Sequence, residues 1–107
     1  MNEPVTVIAP IKLAPGKTEA DLIAASNHFQ EEFVSQESGV LRRELVRKNN
    51  NEYLDIIQFR SQQDADDVIE KEKDSAACHA FFAVMDMSEV KSADEVIEFY
   101  TSLATYT

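Results

Sequence analysis

The chain has 107 residues, 44% hydrophobic and 28% charged, with only two Gly and three Pro, a composition that folds as one domain and leaves no length for a separate cofactor domain. Twenty Asp and Glu against ten Lys and Arg leave a net charge of −10, which repels phosphate backbones and anionic lipid, so neither nucleic acid nor membrane is an expected partner. The single cysteine, Cys78, has no mate for an internal disulfide, Met1 to Pro4 lacks the charge and apolar run of a signal peptide, and a cytoplasmic location is expected.

Val5 to Leu13 is β-branched and aliphatic and ends in the turn Ala14-Pro15-Gly16-Lys17, which predicts a first strand. Thr18 stands three residues before Asp21, a short version of the capping box, and Leu22, Ala25, Phe29 and Phe33 follow at helical spacing, predicting a helix over 19–37. Val40 to Lys48 and Glu52 to Arg60 flank Asn49-Asn50-Asn51, residues that tolerate tight turns, and read as a hairpin of two strands. Ser61 before Asp64 is a second capping signal for a helix that carries Ala65, Val68 and Ile69 on one face, and Ala76 to Met85 continues in helical style. The pattern leaves open whether the helix runs unbroken through Lys73-Asp74-Ser75. Glu95 to Tyr106 has the content of a last strand.

This order is β-α-β-β-α-β, an α+β ferredoxin-like domain over 1–107 with a four-stranded antiparallel sheet and its helices on one face. Alternation puts Leu54 and Ile56 on one side of the third strand and Tyr53, Ile57 and Phe59 on the other, so both sheet faces want burial. Two helices cover only one, and a homodimer packed sheet to sheet is the expected remedy. A regular hairpin places Lys48 opposite Tyr53, Val46 opposite Asp55, Glu44 opposite Ile57 and Arg42 opposite Phe59. Leu41, Leu45, Leu54 and Ile56 then share the more conventional core face, flanked by Arg43 and Arg47, although the residues do not say which face meets the helices. Pro10 in a central strand predicts a bulge or an early strand end.

No phosphate-binding glycine loop, zinc motif, nucleophile elbow or calcium loop is present, and no metal site is expected. The acids Asp64, Asp66, Asp67, Glu70, Glu72 and Asp74 read as a solvated helix face without the loop glycine of a calcium site. Glu72 falls within the apolar arc of Ala65, Val68 and Ile69; it points to the sheet if the helix persists, where burial would suit it to acid or base work, and to solvent if the helix ends near residue 70. His79 sits at the edge of the apolar arc formed by Cys78, Phe81, Phe82 and Met85, either as a proton acceptor or as a boundary residue. Cys78 reads as an inert packed thiol.

The segments Leu13-Ala14-Pro15-Gly16-Lys17, Glu37-Ser38-Gly39-Val40, Gln58-Phe59-Arg60-Ser61 and Asp74-Ser75 with Phe81 and Phe82 beyond resemble the dimeric α/β-barrel superfamily, and within it the antibiotic biosynthesis monooxygenase-like (ABM) domains. The resemblance implies a sheet-to-sheet dimer with a pocket between sheet and helices, and activities that include cofactor-free oxygenation of quinols or anthrones, haem degradation and small-signal turnover. The chain has Ala9 where haem-degrading members have Asn, Phe59 where many have Trp, and Glu72 in place of a helix His, with His79 at the haem-ligand position. The expectation is a cofactor-independent monooxygenase, without haem, acting on an aromatic or quinol-like molecule. Glu72 or His79 would be proton acceptor, and Phe59, Tyr53, Asp55 and Phe82 would line the pocket. A non-catalytic dimeric barrel that binds a small apolar ligand, in the manner of stress-response proteins, is the alternative. A pocket without titratable side chains would favour that alternative.

Overall fold

The computed structural model describes residues 3–49, 52–86 and 97–106. Strand β1 (Val5–Lys12) leads to helix α1 (Glu19–Glu32), the hairpin strands β2 (Val40–Asn49) and β3 (Glu52–Phe59), helices α2 (Gln62–Glu72) and α3 (Ala76–Phe82), and strand β4 (Glu98–Thr101). The strands lie in the order β2-β3-β1-β4, all pairs antiparallel, which is the ferredoxin-like α+β sheet. Hairpin residues Asn50 and Asn51 lie outside the described residues, as do 95 and 96 of the expected last strand.

The caps form as their residue types dictate. Thr18 Oγ1 accepts from Asp21 N at 3.2 Å while Asp21 Oδ2 accepts from Thr18 N at 2.9 Å, closing the box at the start of α1. Ser61 accepts from Asp64 N to start α2, and Ser75 accepts from Cys78 N to start α3. Gly16 takes φ 82° in the turn after β1, a conformation that Gly adopts without cost. Where one helix was expected over 19–37, α1 ends at Glu32 and a 3₁₀ turn covers Val34–Gln36. The helical stretch expected to reach Met85 stops at Phe82, and Met85 bridges to Leu13 instead.

The hairpin corrects the predicted register. Arg47 pairs with Tyr53, Leu45 with Asp55 and Arg43 with Ile57, because the ladder shifts between Arg47 and Asn49 and makes Lys48 an extra residue. A second shift falls between Val40 and Arg42. A one-residue change in register exchanges the two faces of a strand, so Arg43, Leu45 and Arg47 share the side of Tyr53 and Asp55 rather than that of Leu54 and Ile56. This side, and not the one with more aliphatic residues, meets the helices. Val5, Val7 and Phe59 pack with Ala65 and Val68 of α2, while Ile11 and Tyr53 pack with Leu22 and Phe29 of α1 and Ala77, Cys78 and Phe81 of α3. Ile8, Pro10, Val46, Leu54, Ile56 and Tyr100 remain half-buried or exposed on the other side.

Pro10 neither ends β1 nor bulges it: the strand runs to Lys12, and Pro10 pairs in register with Leu54. Among the described residues the β1–β4 ladder pairs Val5 to Ile8 with Thr101 to Glu98, and the position that would face Pro10 lies outside them.

Candidate active site

A cavity of about 410 Å³ lies between the helix-facing side of the sheet and the helices. Val7, Ala9 and Ile11 of β1, Ile57 and Phe59 of β3, and Phe29, Ile69, Phe81, Phe82 and Met85 give it an apolar wall. Lys12, Lys48, Glu52 and Asp86 also line it. Tyr53, Asp55 and Glu72 supply the other polar groups among the described lining. The structure thus places Glu72, Phe59, Tyr53, Asp55 and Phe82 around one space.

His79 is not brought there. Its Nε2 lies 2.7 Å from the Lys73 carbonyl, which can only accept, so the ring carries its proton on Nε2 and caps the end of α2 from an exposed position. A haem in this cavity would find no axial nitrogen from His79.

Glu72 owes its position to the end of its helix. The helix persists through Glu72, so its side chain takes the inward alternative, and the break at Lys73–Ser75 turns α3 so that the Cys78 thiol donates to Glu72 Oε2 at 3.5 Å. Burial pushes the Glu72 carboxyl up to about 7; the Cys78 hydrogen bond lowers it, the nearby Asp55 charge raises it, and the Arg43 charge lowers it. Burial beside this acid pushes the Cys78 thiol far up, which agrees with an inert packed group.

Arg43 is the polar residue that the sequence reading put on the wrong side of the sheet. Its side chain is only 7% exposed, and its guanidinium lies 5.1 and 5.2 Å from the Phe29 and Phe81 ring centres. Nε and Nη2 both donate to Asp55 Oδ2 at 3.2 Å, Nη2 also to Ser26 Oγ at 2.9 Å, and Nη1 to the Ser26 carbonyl and Gln30 Oε1. An aspartate in the middle of an apolar strand was the available signal, since a buried carboxylate calls for a cation at cross-strand distance. Burial raises the Asp55 carboxyl and Arg43 lowers it, with the net direction upward. Its partner cannot shed its proton, and neutralising Asp55 would strand that charge in the interior, which holds the carboxylate ionised at neutral pH.

Tyr53 closes one end of the site, its hydroxyl donating to Glu19 Oε1 at 3.1 Å, where Arg47 also donates at 2.8 Å. The other acids of α2 lie on its outer surface, with Asp66 and Asp67 accepting from Gln62 and Gln63 one turn earlier. Among the described residues no cluster of three or more potential ligands is placed to hold a metal ion, and no described helix is long and apolar enough to cross a membrane.

The chain is similar in fold to several solved structures. A protein from Caulobacter crescentus CB15 assigned to the antibiotic biosynthesis monooxygenases is 18% identical, with a TM-score of 0.71 over 96% of this chain and 92% of its own. SnoaB, a cofactor-independent oxygenase from Streptomyces nogalater, is 15% identical, with a TM-score of 0.67 over 98% of this chain and 96% of its own. A Nitrosomonas europaea protein assigned to the same monooxygenases is 15% identical, with a TM-score of 0.65 over 96% and 93%. No curated protein matches the chain significantly. The family described as antibiotic biosynthesis monooxygenase matches residues 4–83, most of the sequence, and the chain belongs to that family.

Proposed function

We propose that the protein is a cofactor-independent monooxygenase that oxidises an aromatic or quinol-like molecule in the cavity, with Glu72 as the general base. The observation that carries this reading is the Glu72 carboxyl, half-buried against the apolar wall of the cavity and pushed up to about 7, where a base is half-ionised and still a good proton acceptor at neutral pH. Titratable groups in the cavity favour it over the non-catalytic binding barrel. SnoaB, a cofactor-independent oxygenase of similar fold, supports it.

Glu72 takes a proton from an activated CH₂ next to a phenolic ring, and the resulting carbanion reduces O₂. A C–O bond forms, the O–O bond breaks, one oxygen stays as a carbonyl and the other leaves as water with the two protons. The apolar wall keeps bulk water from the anion, and Phe59 and Phe82 offer faces for an aromatic ring. The residues called on supply a base, a dry space and ring contacts, so no cofactor is invoked. His79, held at Lys73, is left out of the mechanism. Two copies joined through Ile8, Val46, Leu54 and Ile56 would give the sheet-to-sheet homodimer, with one cavity in each protomer.

O₂ uptake with anthrones, polycyclic phenols that carry a ring CH₂, tests the reading. Wild type should consume O₂ faster than the substrate alone, Glu72→Gln should lose at least about 100-fold, the usual share of a general base, and His79→Ala should match wild type. Identical traces for wild type, Glu72→Gln and buffer would remove it.

A further inference from the structure

Cys78 is fully buried in the first turn of α3, where its backbone N–H is fixed on Ser75 Oγ, and its thiol lies 3.5 Å from Glu72 Oε2 across the break between the two helices. Among the described residues no other hydrogen-bond donor reaches the Glu72 carboxyl. Its second oxygen, Oε1, keeps accessible surface all the same, because the one sealed side-chain oxygen or nitrogen without a partner among the described residues belongs to Asp55. Glu72 is part of the cavity lining, so the thiol holds one oxygen and leaves the other to meet a ligand. The charged groups that bear on Glu72 are Asp55 of β3 and Arg43 of β2, and neither bonds to it, since the Arg43 guanidinium is committed to Asp55, Ser26 and Gln30. Burial beside an acid raises the thiol far above its ordinary range, so it keeps its proton across neutral pH and is a standing donor.

We infer that Cys78 is a positioning residue for the general base: its thiol pins Glu72 Oε2, turns Oε1 toward the cavity and sets the basicity of the carboxylate by supplying its one hydrogen bond. The inference rests on reading Glu72 as the base and names the group that holds it. A Glu side chain has three rotatable bonds, and an apolar wall offers its head group nothing to settle on; one fixed donor selects the orientation in which a proton can be taken. The kind of donor matters too. A thiol donates weakly, whereas a hydroxyl, an amide or a cation in its place would stabilise the anion more and draw the carboxyl back toward the ordinary range, where it is a poor proton acceptor at neutral pH. An apolar residue there would leave the carboxylate without a donor and free to turn. Cysteine orients the base with little loss of its strength, and it does so without any covalent part in the reaction.

Cys78 is the one cysteine in the chain, so the S–H stretching band of the infrared spectrum reports on it alone. In the full wild-type chain without substrate the band should move to lower frequency as pH rises through about 7, when its acceptor becomes a carboxylate. In Glu72→Gln it should not respond to pH. In Cys78→Ala the titration midpoint of the Glu72 carboxyl, followed by carbon NMR, should rise by roughly half a pH unit or more, the share of one weak hydrogen bond to the anion. With an anthrone at pH 7, the same variant should lose roughly threefold to tenfold in kcat with KM near wild type. A wild-type band that stays still from about pH 5 to about pH 9, a Glu72→Gln band that moves as wild type does, a Glu72 midpoint unchanged in Cys78→Ala, or an unchanged kcat in that variant would overturn the inference. The wild-type band decides even where Cys78→Ala does not fold. Since the spectra need neither substrate nor O₂, a moving band beside no O₂ uptake would sink the oxygenase reading alone, and Glu72-dependent uptake beside a still band would sink this one alone.

Discussion

Glu72 and Asp55 face one cavity with different protonation chemistry, and Arg43 makes the difference. Glu72 is shielded from water without a direct cation, so its proton is retained up to about 7. The ordinary value is 4.5; between the two the unfolded chain gives up a proton that the native state keeps, so stability falls as pH rises through that window. The loss is on the order of 3 kcal/mol. Urea unfolding of wild type and Glu72→Gln should therefore diverge from about pH 5 to about pH 8, with the Gln protein the more stable at the upper end. Activity runs the opposite way: the base works ionised, and kcat/KM for wild type should climb as pH passes through about 7.

Arg43 shows its role by loss. Arg43→Met strands the Asp55 charge and should cost about 3–5 kcal/mol, while the double change Arg43→Met with Asp55→Leu should regain most of it, as buried ion pairs replaced whole by apolar residues do. Denaturant midpoints of the two single variants and the double variant would show a large positive coupling; additive losses would refute the pairing. That Tyr53 and Asp55 share a face of β3 was readable from strand alternation, but not that this face meets the helices. Arg43 was not, since alternation within β2 fixes which residues share a face but not which side that face takes.

Among the elements, the starts of α1 and α2 were the most legible part of the chain, because Thr18 and Ser61 satisfy backbone donors that no other local group can reach. The split between α2 and α3 was harder to read, since Lys73-Asp74-Ser75 has no Gly or Pro and a Ser can sit in a helix as well as begin one. Gly39 is an element-level constraint of a different kind. A Cβ there would lie 2.7 Å from Asp64 Cβ, the residue whose carboxylate holds Arg60 and accepts from Ser61 at the start of α2. Gly39→Ala should push Asp64 off these partners and cost about 1–3 kcal/mol by overpacking, measured as a lower thermal midpoint. Ser75→Ala should cost about 1 kcal/mol through the lost cap and loosen the α3 end that keeps Cys78 against Glu72.

For the whole molecule, the sheet order and the apolar character of both faces were plain from strand content. The assignment of faces depended on one extra residue. Ile8 opposite Ile56 and Pro10 opposite Leu54 leave a greasy strip away from the helices, and Ile56→Lys should convert a sedimenting dimer to a monomer while leaving the cavity residues in place. A wild-type chain that sediments as a monomer would remove the homodimer.

The bulge at Lys48 has a consequence for folding fidelity. A regular closure, one step from the observed one, would turn Arg43 outward and leave Asp55 without the guanidinium that now pairs with it. The buried pair thus acts as an arbiter that makes the mis-threaded closure expensive and the bulged one unique. The apolar double variant, though recovered in stability, should then lose that arbitration and show duplicated amide resonances along Glu52–Phe59, a chain stable in two threadings where the natural one tolerates only one.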